Sequence, residues 1–96
     1  MNSPAPGEVT VQHNAAASRF EARVGAHLAV AEYTSTDGRM VFTHTFVPPE
    51  LRGLGLAEKL VRAGLELARA EGRRVVPQCS YVATFIQRHP EFQALL

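Results

Sequence analysis

The chain has 96 residues, with ten Lys and Arg against nine Asp and Glu and a formal charge of +1. Such a length suits one domain with one core, and interspersed charges exclude the long-range field of a dedicated nucleic-acid binder. No apolar run approaches the roughly 20 residues of a membrane span, and one cysteine, Cys79, excludes an intrachain disulfide or a thiolate metal cluster.

Residues 1–8, with Pro4, Pro6 and Gly7, hold too little apolar surface to pack and lack the basic and apolar regions of a signal peptide. They are expected to form a disordered tail ahead of a single domain over 9–96, and a cytoplasmic location is expected with it. Alternation of apolar and polar residues predicts a strand over 9–13. A second strand carries Phe20, Ala22 and Val24, and a third covers 27–33 with Ala29, Ala31 and Tyr33 on one side. Asp37-Gly38 supplies the positive backbone angles of a hairpin turn into a fourth strand over 39–47. Strict alternation there puts Met40, Phe42, His44 and Phe46 on one face and Val41, Thr43, Thr45 and Val47 on the other.

Pro48-Pro49 cannot continue ladder pairing, so the fourth strand ends where a glycine-bearing turn begins. The run 55–71 then reads as one amphipathic helix, with Leu56, Leu60, Val61, Leu67 and Ala68 inward, Glu58 and Arg62 wet, and Gly72 as its left-handed stop. Gly64, costly in a helix interior, is tolerated if it lets the helix approach a sheet. Val75-Val76 reads as a buried strand returning parallel to the fourth through a right-handed crossover. Ser80 can cap a short second helix over 81–88 that turns Val82, Phe85 and Ile86 inward, and His89-Pro90 ends it. The order predicts an α/β (or α+β) domain, an open mixed sheet of about five strands with two helices packed on it.

Between strand and helix lies Glu50-Leu51-Arg52-Gly53-Leu54-Gly55-Leu56-Ala57. Glycines let a backbone approach a ligand, and the first amides of the following helix point outward with the positive end of its dipole, so an anion is the expected guest. A Walker loop needs a Gly-Lys pair followed by Ser or Thr, and a Rossmann fingerprint needs a third glycine where Glu58 stands. Neither fits. Arg52-Gly53-x-Gly55-x-Ala57 instead resembles the pyrophosphate loop of the GNAT acetyltransferase superfamily, with Glu50 departing from the Gln or Arg usual at the loop's first position. Val76-Pro77-x-Cys79-x-Tyr81-Val82 and Arg88-His89-Pro90-Glu91-Phe92 narrow this to small single-domain members, similar to the family of N-acetyltransferase domain-containing protein 1, where a non-basic residue at that position is familiar. The resemblance spans nearly the whole chain after the tail.

It implies a compact GNAT-like acyl-CoA N-acyltransferase fold and transfer of an acetyl group from acetyl-CoA to an amine, directly or through a cysteine. It implies coenzyme A contacts from Val47, Arg52, Gly53, Leu54, Gly55, Leu56, Ala57, Cys79 and Tyr81. Lys59 is read as solvated. Cys79, ahead of a helix start, is a candidate nucleophile or acid, against a buried, inert thiol. His44 is a candidate base for the attacking amine, against a structural histidine. The tyrosine that protonates the departing thiolate in larger enzymes has no counterpart, the nearest positions being Phe85 and Ile86, and Tyr81 is the fallback. His89 reads as a helix cap, and the four histidines show no metal-ligand spacing. The acceptor, whether protein tail, polyamine or small amine, is not encoded in any motif. A coenzyme A binding module without turnover, and a partner-binding domain with a vestigial loop, are the alternative functions.

Overall fold

Small residues on one side of the early strands and large ones beneath the helices set the architecture. In a computed structural model that describes residues 9–96, Ala22, Ala29 and Ala31 are fully buried where a helix crosses the sheet, and the larger Phe20, Tyr33, Met40 and Phe42 fill the space around them. The expected tail, 1–8, lies outside the described residues. Four strands, β1 (Val11–Asn14), β2 (Arg19–Val24), β3 (His27–Thr36) and β4 (Arg39–Phe46), are antiparallel neighbours in chain order. A fifth, β5 (Arg74–Pro77), pairs parallel with β4, as the crossover requires. Asp37 and Gly38 both adopt positive φ, at 46° and 76°, in the β3–β4 turn.

The face assignment along β4 is corrected by its register. Tyr33 pairs with Phe42 but Glu32 pairs with His44, so one step along β3 matches two along β4 and Thr43 is left over as a bulge. One extra residue reverses the alternation. Met40 and Phe42 stay in the core, whereas His44 and Phe46 turn to the opposite face and stack with centroids 6.3 Å apart, and Thr45 turns to the core side. A period of two read straight through 39–47 could not register this.

Helix α1 (Leu56–Ala70) buries Leu56, Leu60, Val61, Gly64, Leu65 and Ala68, with Leu65 rather than Leu67 completing the stripe. Gly64 is a point of close approach: a Cβ there would stand 2.7 Å from the Phe42 ring. Gly72, at φ 65°, stops the helix, and the Arg73 amide folds back on the Ala68 carbonyl at 2.8 Å. Helix α2 (Ser80–Arg88) begins one residue earlier than expected, with Cys79 in the N-cap position in place of Ser80. Pro90–Leu95 forms a 3-10 run without a clear sequence signal, and its Phe92 is fully buried beside Phe85. Both helices join one core with a single face of the sheet. Among the described residues no helix covers the other face.

Candidate active site

Pairing of β4 with β5 ends at Phe42 and Pro77, and a last bond runs from the Cys79 amide to the Phe42 carbonyl at 2.9 Å. Beyond it the two chains part. Among the described residues, 43–46 of β4 keep β3 on one edge and have no strand on the other, so a gap opens at the carboxyl end of two parallel strands. In open α/β sheets, ligands sit at such ends.

The glycine turn stands over this gap. Pro49–Leu51 is a 3-10 turn, and Arg52 is extended after it. Gly53 and Gly55 then take φ of 85° and 72°, the left-handed values that side chains resist, with nothing within 4 Å of where either Cβ would be. Gly55 is the N-cap of α1 and brings no capping side chain, so the first turn of α1 keeps outward-pointing amides; the first helical bond is that of the Lys59 amide to the Gly55 carbonyl. Arg52 directs its Nε to the Val47 carbonyl at 3.4 Å, which ties the loop to the end of β4 and leaves its terminal amino groups at the surface. Lys59, expected to be solvated, instead donates to the Val9 carbonyl at 2.5 Å and is half-buried.

Of the residues named for coenzyme A, Val47, Arg52, Gly53, Gly55, Leu56, Ala57 and Tyr81 line one cleft of about 230 Å³, together with Leu51 and Glu58. Leu54 and Cys79, both half-buried, pack against the edge of the core and are not part of that lining. Thr45 and Cys79 precede Val47 and Tyr81 by two residues on either side of the gap, with the Thr45 hydroxyl 3.6 Å from the Cys79 sulfur. Glu50, at the loop's divergent first position, points away to His27 at 3.9 Å.

The sulfur is half-buried. Burial pushes its thiol up and is the largest single influence, but the Val82 amide, the Thr45 hydroxyl and the amides of Tyr81 and Thr45 together outweigh it and hold the thiol below its ordinary range. None of these amides closes a capping hydrogen bond on the side chain; the helix end acts as a field aimed at the sulfur. Tyr81 goes the other way. Burial, then the Glu58 carboxylate, keep its phenol protonated above the usual value, against a smaller opposing effect of Arg88. The lone thiol therefore ionises more readily than an ordinary cysteine, and the neighbouring phenol keeps its proton.

His44 does not join this group. The bulge turns it to the uncovered face, exposed beside Phe46, with Glu32 as its cross-strand partner. His89 is the C-cap of α2, with Nδ1 2.7 Å from the Phe85 carbonyl and its ring stacked on Phe85 at 3.9 Å, as expected of a cap. Thr45 is the residue that sequence reasoning missed, because only the bulge brings it to the sulfur.

A family model described as GCN5-related N-acetyl-transferase matches residues 19–95. The chain is 33% identical over 85 residues to protein NATD1 of Bos taurus, covering 85% of this chain and 75% of that one. Protein NATD1 of Homo sapiens is 31% identical over the same length, with the same shares covered. In three dimensions the chain is similar to the solution structure of a GCN5-like protein from Staphylococcus aureus, with a TM-score of 0.71 at 24% identity, over 90% of this chain and 85% of the other.

Proposed function

Because this chain belongs to the GCN5-related N-acetyltransferase family, we propose that it binds acetyl-CoA in the loop cleft and moves the acetyl group to an amine by way of Cys79. The observation that carries the reading is the placement of the site: a cleft walled by two left-handed glycines has Val47 and Tyr81 in its lining, and Thr45 and the Cys79 thiol stand two residues before them at the β4–β5 gap. The cleft fits coenzyme A in kind. Outward amides at the start of α1 and the Arg52 guanidinium meet a pyrophosphate, and the Thr45 amide, directed at the gap, is a donor for a carbonyl oxygen. Acetyl-CoA supplies an activated thioester, and the chain's own side chains supply the nucleophile and the proton transfers.

Cys79, in the thiolate form that its surrounding donors favour, attacks the acetyl carbon; the bond from that carbon to the coenzyme sulfur breaks, and the departing thiolate takes a proton from Tyr81, which regains one from water. The amine then attacks the acetyl group on Cys79, the sulfur leaves again as thiolate, and the proton lost by the amine passes to a base. That base is water, because His44 lies on the uncovered face between Glu32 and Phe46 and does not face the sulfur, although an amine can reach the gap from that face. Two-layer construction leaves this approach open, which suits a long flexible amine such as a lysine side chain or a polyamine.

Two measurements test the reading. Calorimetry with acetyl-CoA should show binding that Gly55→Val abolishes, and mass spectrometry after mixing should show one acetyl group on the native chain and none on Cys79→Ser. Binding without acetylation or turnover across a panel of amines reduces the protein to a coenzyme A module, and absence of binding removes the cleft assignment altogether.

A further inference from the structure

Next to the loop cleft lies a second, smaller cavity of about 110 Å³, and the two share Glu58 and Tyr81 in their linings. Its far wall is the last turn of α2, with Arg88 and His89. The ion pairs around it are already made. Arg62 meets Glu58 at 3.6 Å and Glu91 at 3.9 Å, and Arg69 meets Glu66 at 3.4 Å. His89 is committed through Nδ1 to the Phe85 carbonyl. Among the described residues Arg88 has neither a hydrogen bond nor an ion pair, although it stands beside a cavity next to an anion cradle. The negative end of the α2 dipole disfavours an anion here, so any anion the cavity takes is held by side-chain cations or not at all. Arg62 is half neutralised by Glu58, and Arg88 is left as the cation with all its donors available.

We infer that this cavity takes a phosphate monoester, the ribose 3′-phosphate of coenzyme A, with Arg88 as the residue that recognises it. The inference rests on the coenzyme reading of the cleft. With the pyrophosphate at the start of α1 and the acyl arm directed at Cys79, the ribose is carried past Glu58 and Tyr81, and its phosphate comes within reach of a guanidinium fork on the next helix. The chain would then distinguish coenzyme A from 3′-dephospho-coenzyme A, a discrimination that the loop alone cannot provide because both ligands carry the same pyrophosphate.

The test is calorimetric titration of the native chain and of Arg88→Gln with coenzyme A and with 3′-dephospho-coenzyme A. The native chain should prefer coenzyme A by about tenfold or more, the effect of one charge-assisted contact. Arg88→Gln should bring coenzyme A down to the affinity of the dephospho form and leave that affinity unchanged, and Arg88→Lys should restore part of the preference. Equal affinity of the native chain for both ligands overturns the inference while leaving the cleft assignment intact. Equal weakening of both ligands by Arg88→Gln also overturns it, by making Arg88 a residue that supports the fold. If the native chain binds neither, both readings fall together, and the Gly55→Val comparison is lost as well.

Discussion

At the scale of single residues, the site depends on backbone angles that few side chains accept and on a thiol whose surroundings disagree about its charge. Gly53→Ala or Gly55→Ala places a Cβ in open space but at φ of 85° or 72°, so strain alone should cost about 1–2 kcal/mol of stability, measurable by urea unfolding. Arg52→Ala should weaken coenzyme A binding by about 1–3 kcal/mol and should matter less at high salt, because the contact is charge-assisted and exposed. Cys79 allows a signed prediction. Hydrogen-bond donors hold its thiol low against burial, so the rate of iodoacetamide labelling should reach half its maximum at a pH below that of an ordinary cysteine. Thr45→Val removes one of those donors and should move the midpoint up. Coenzyme A should protect Cys79 in the native chain; labelling that appears only after denaturation would make it a core residue.

Among the elements, α1 and β4 carry constraints that pull against local propensity. Gly64 disfavours helix by up to about 1 kcal/mol, yet Gly64→Ala should destabilise the protein, because the added methyl meets Phe42 ring atoms at 2.7 and 2.8 Å and a Phe20 ring atom at 3.2 Å in a closed core. Overpacking of that kind costs about 1–3 kcal/mol, so a net loss is expected on thermal unfolding, and a gain would mean that the rings move aside freely. The bulge at Thr43 has the opposite character. It leaves stability to the rest of β4 and decides which side chains meet in the gap, exchanging His44 for Thr45 beside the sulfur.

For the molecule as a whole, a two-layer domain of this size has one core and small reserves, so its last residues are part of the structure. Phe92, fully buried under Arg62 and Arg69, is held in place by the Arg69 bond to the Glu91 carbonyl at 3.0 Å and by Arg74, which reaches the Leu96 carbonyl at 2.9 Å. Phe92→Ala should cost about 3–5 kcal/mol, a large share of the roughly 5–15 kcal/mol typical of a domain, and should be visible as a markedly lower unfolding midpoint. The sheet's uncovered face is the other consequence of size. Only residues 15–18 join β1 to β2, too short a connection to fold back over that face, and Phe46 stands 45% exposed on it.

What the sequence determined was whatever depends on neighbours along the chain. The α1 stripe, the Asp37-Gly38 turn, the stop at Gly72, the two glycines over the gap and the return of β5 parallel to β4 each come from residue type and spacing, and the loop and Cys79 segments carried the family. Tertiary structure decided whatever depends on pairing across strands. A bulge is an agreement between β3 and β4, so no reading of 39–47 alone could turn His44 outward and Thr45 toward Cys79. Phe92 was likewise unreadable, because a 3-10 run after a proline has no period, and its burial comes from the sides of α1 and α2 that meet over it. Arg88 looks in sequence like any basic residue in a last helical turn, and it gains significance only because the fold places a cavity between it and the cleft under the glycine turn.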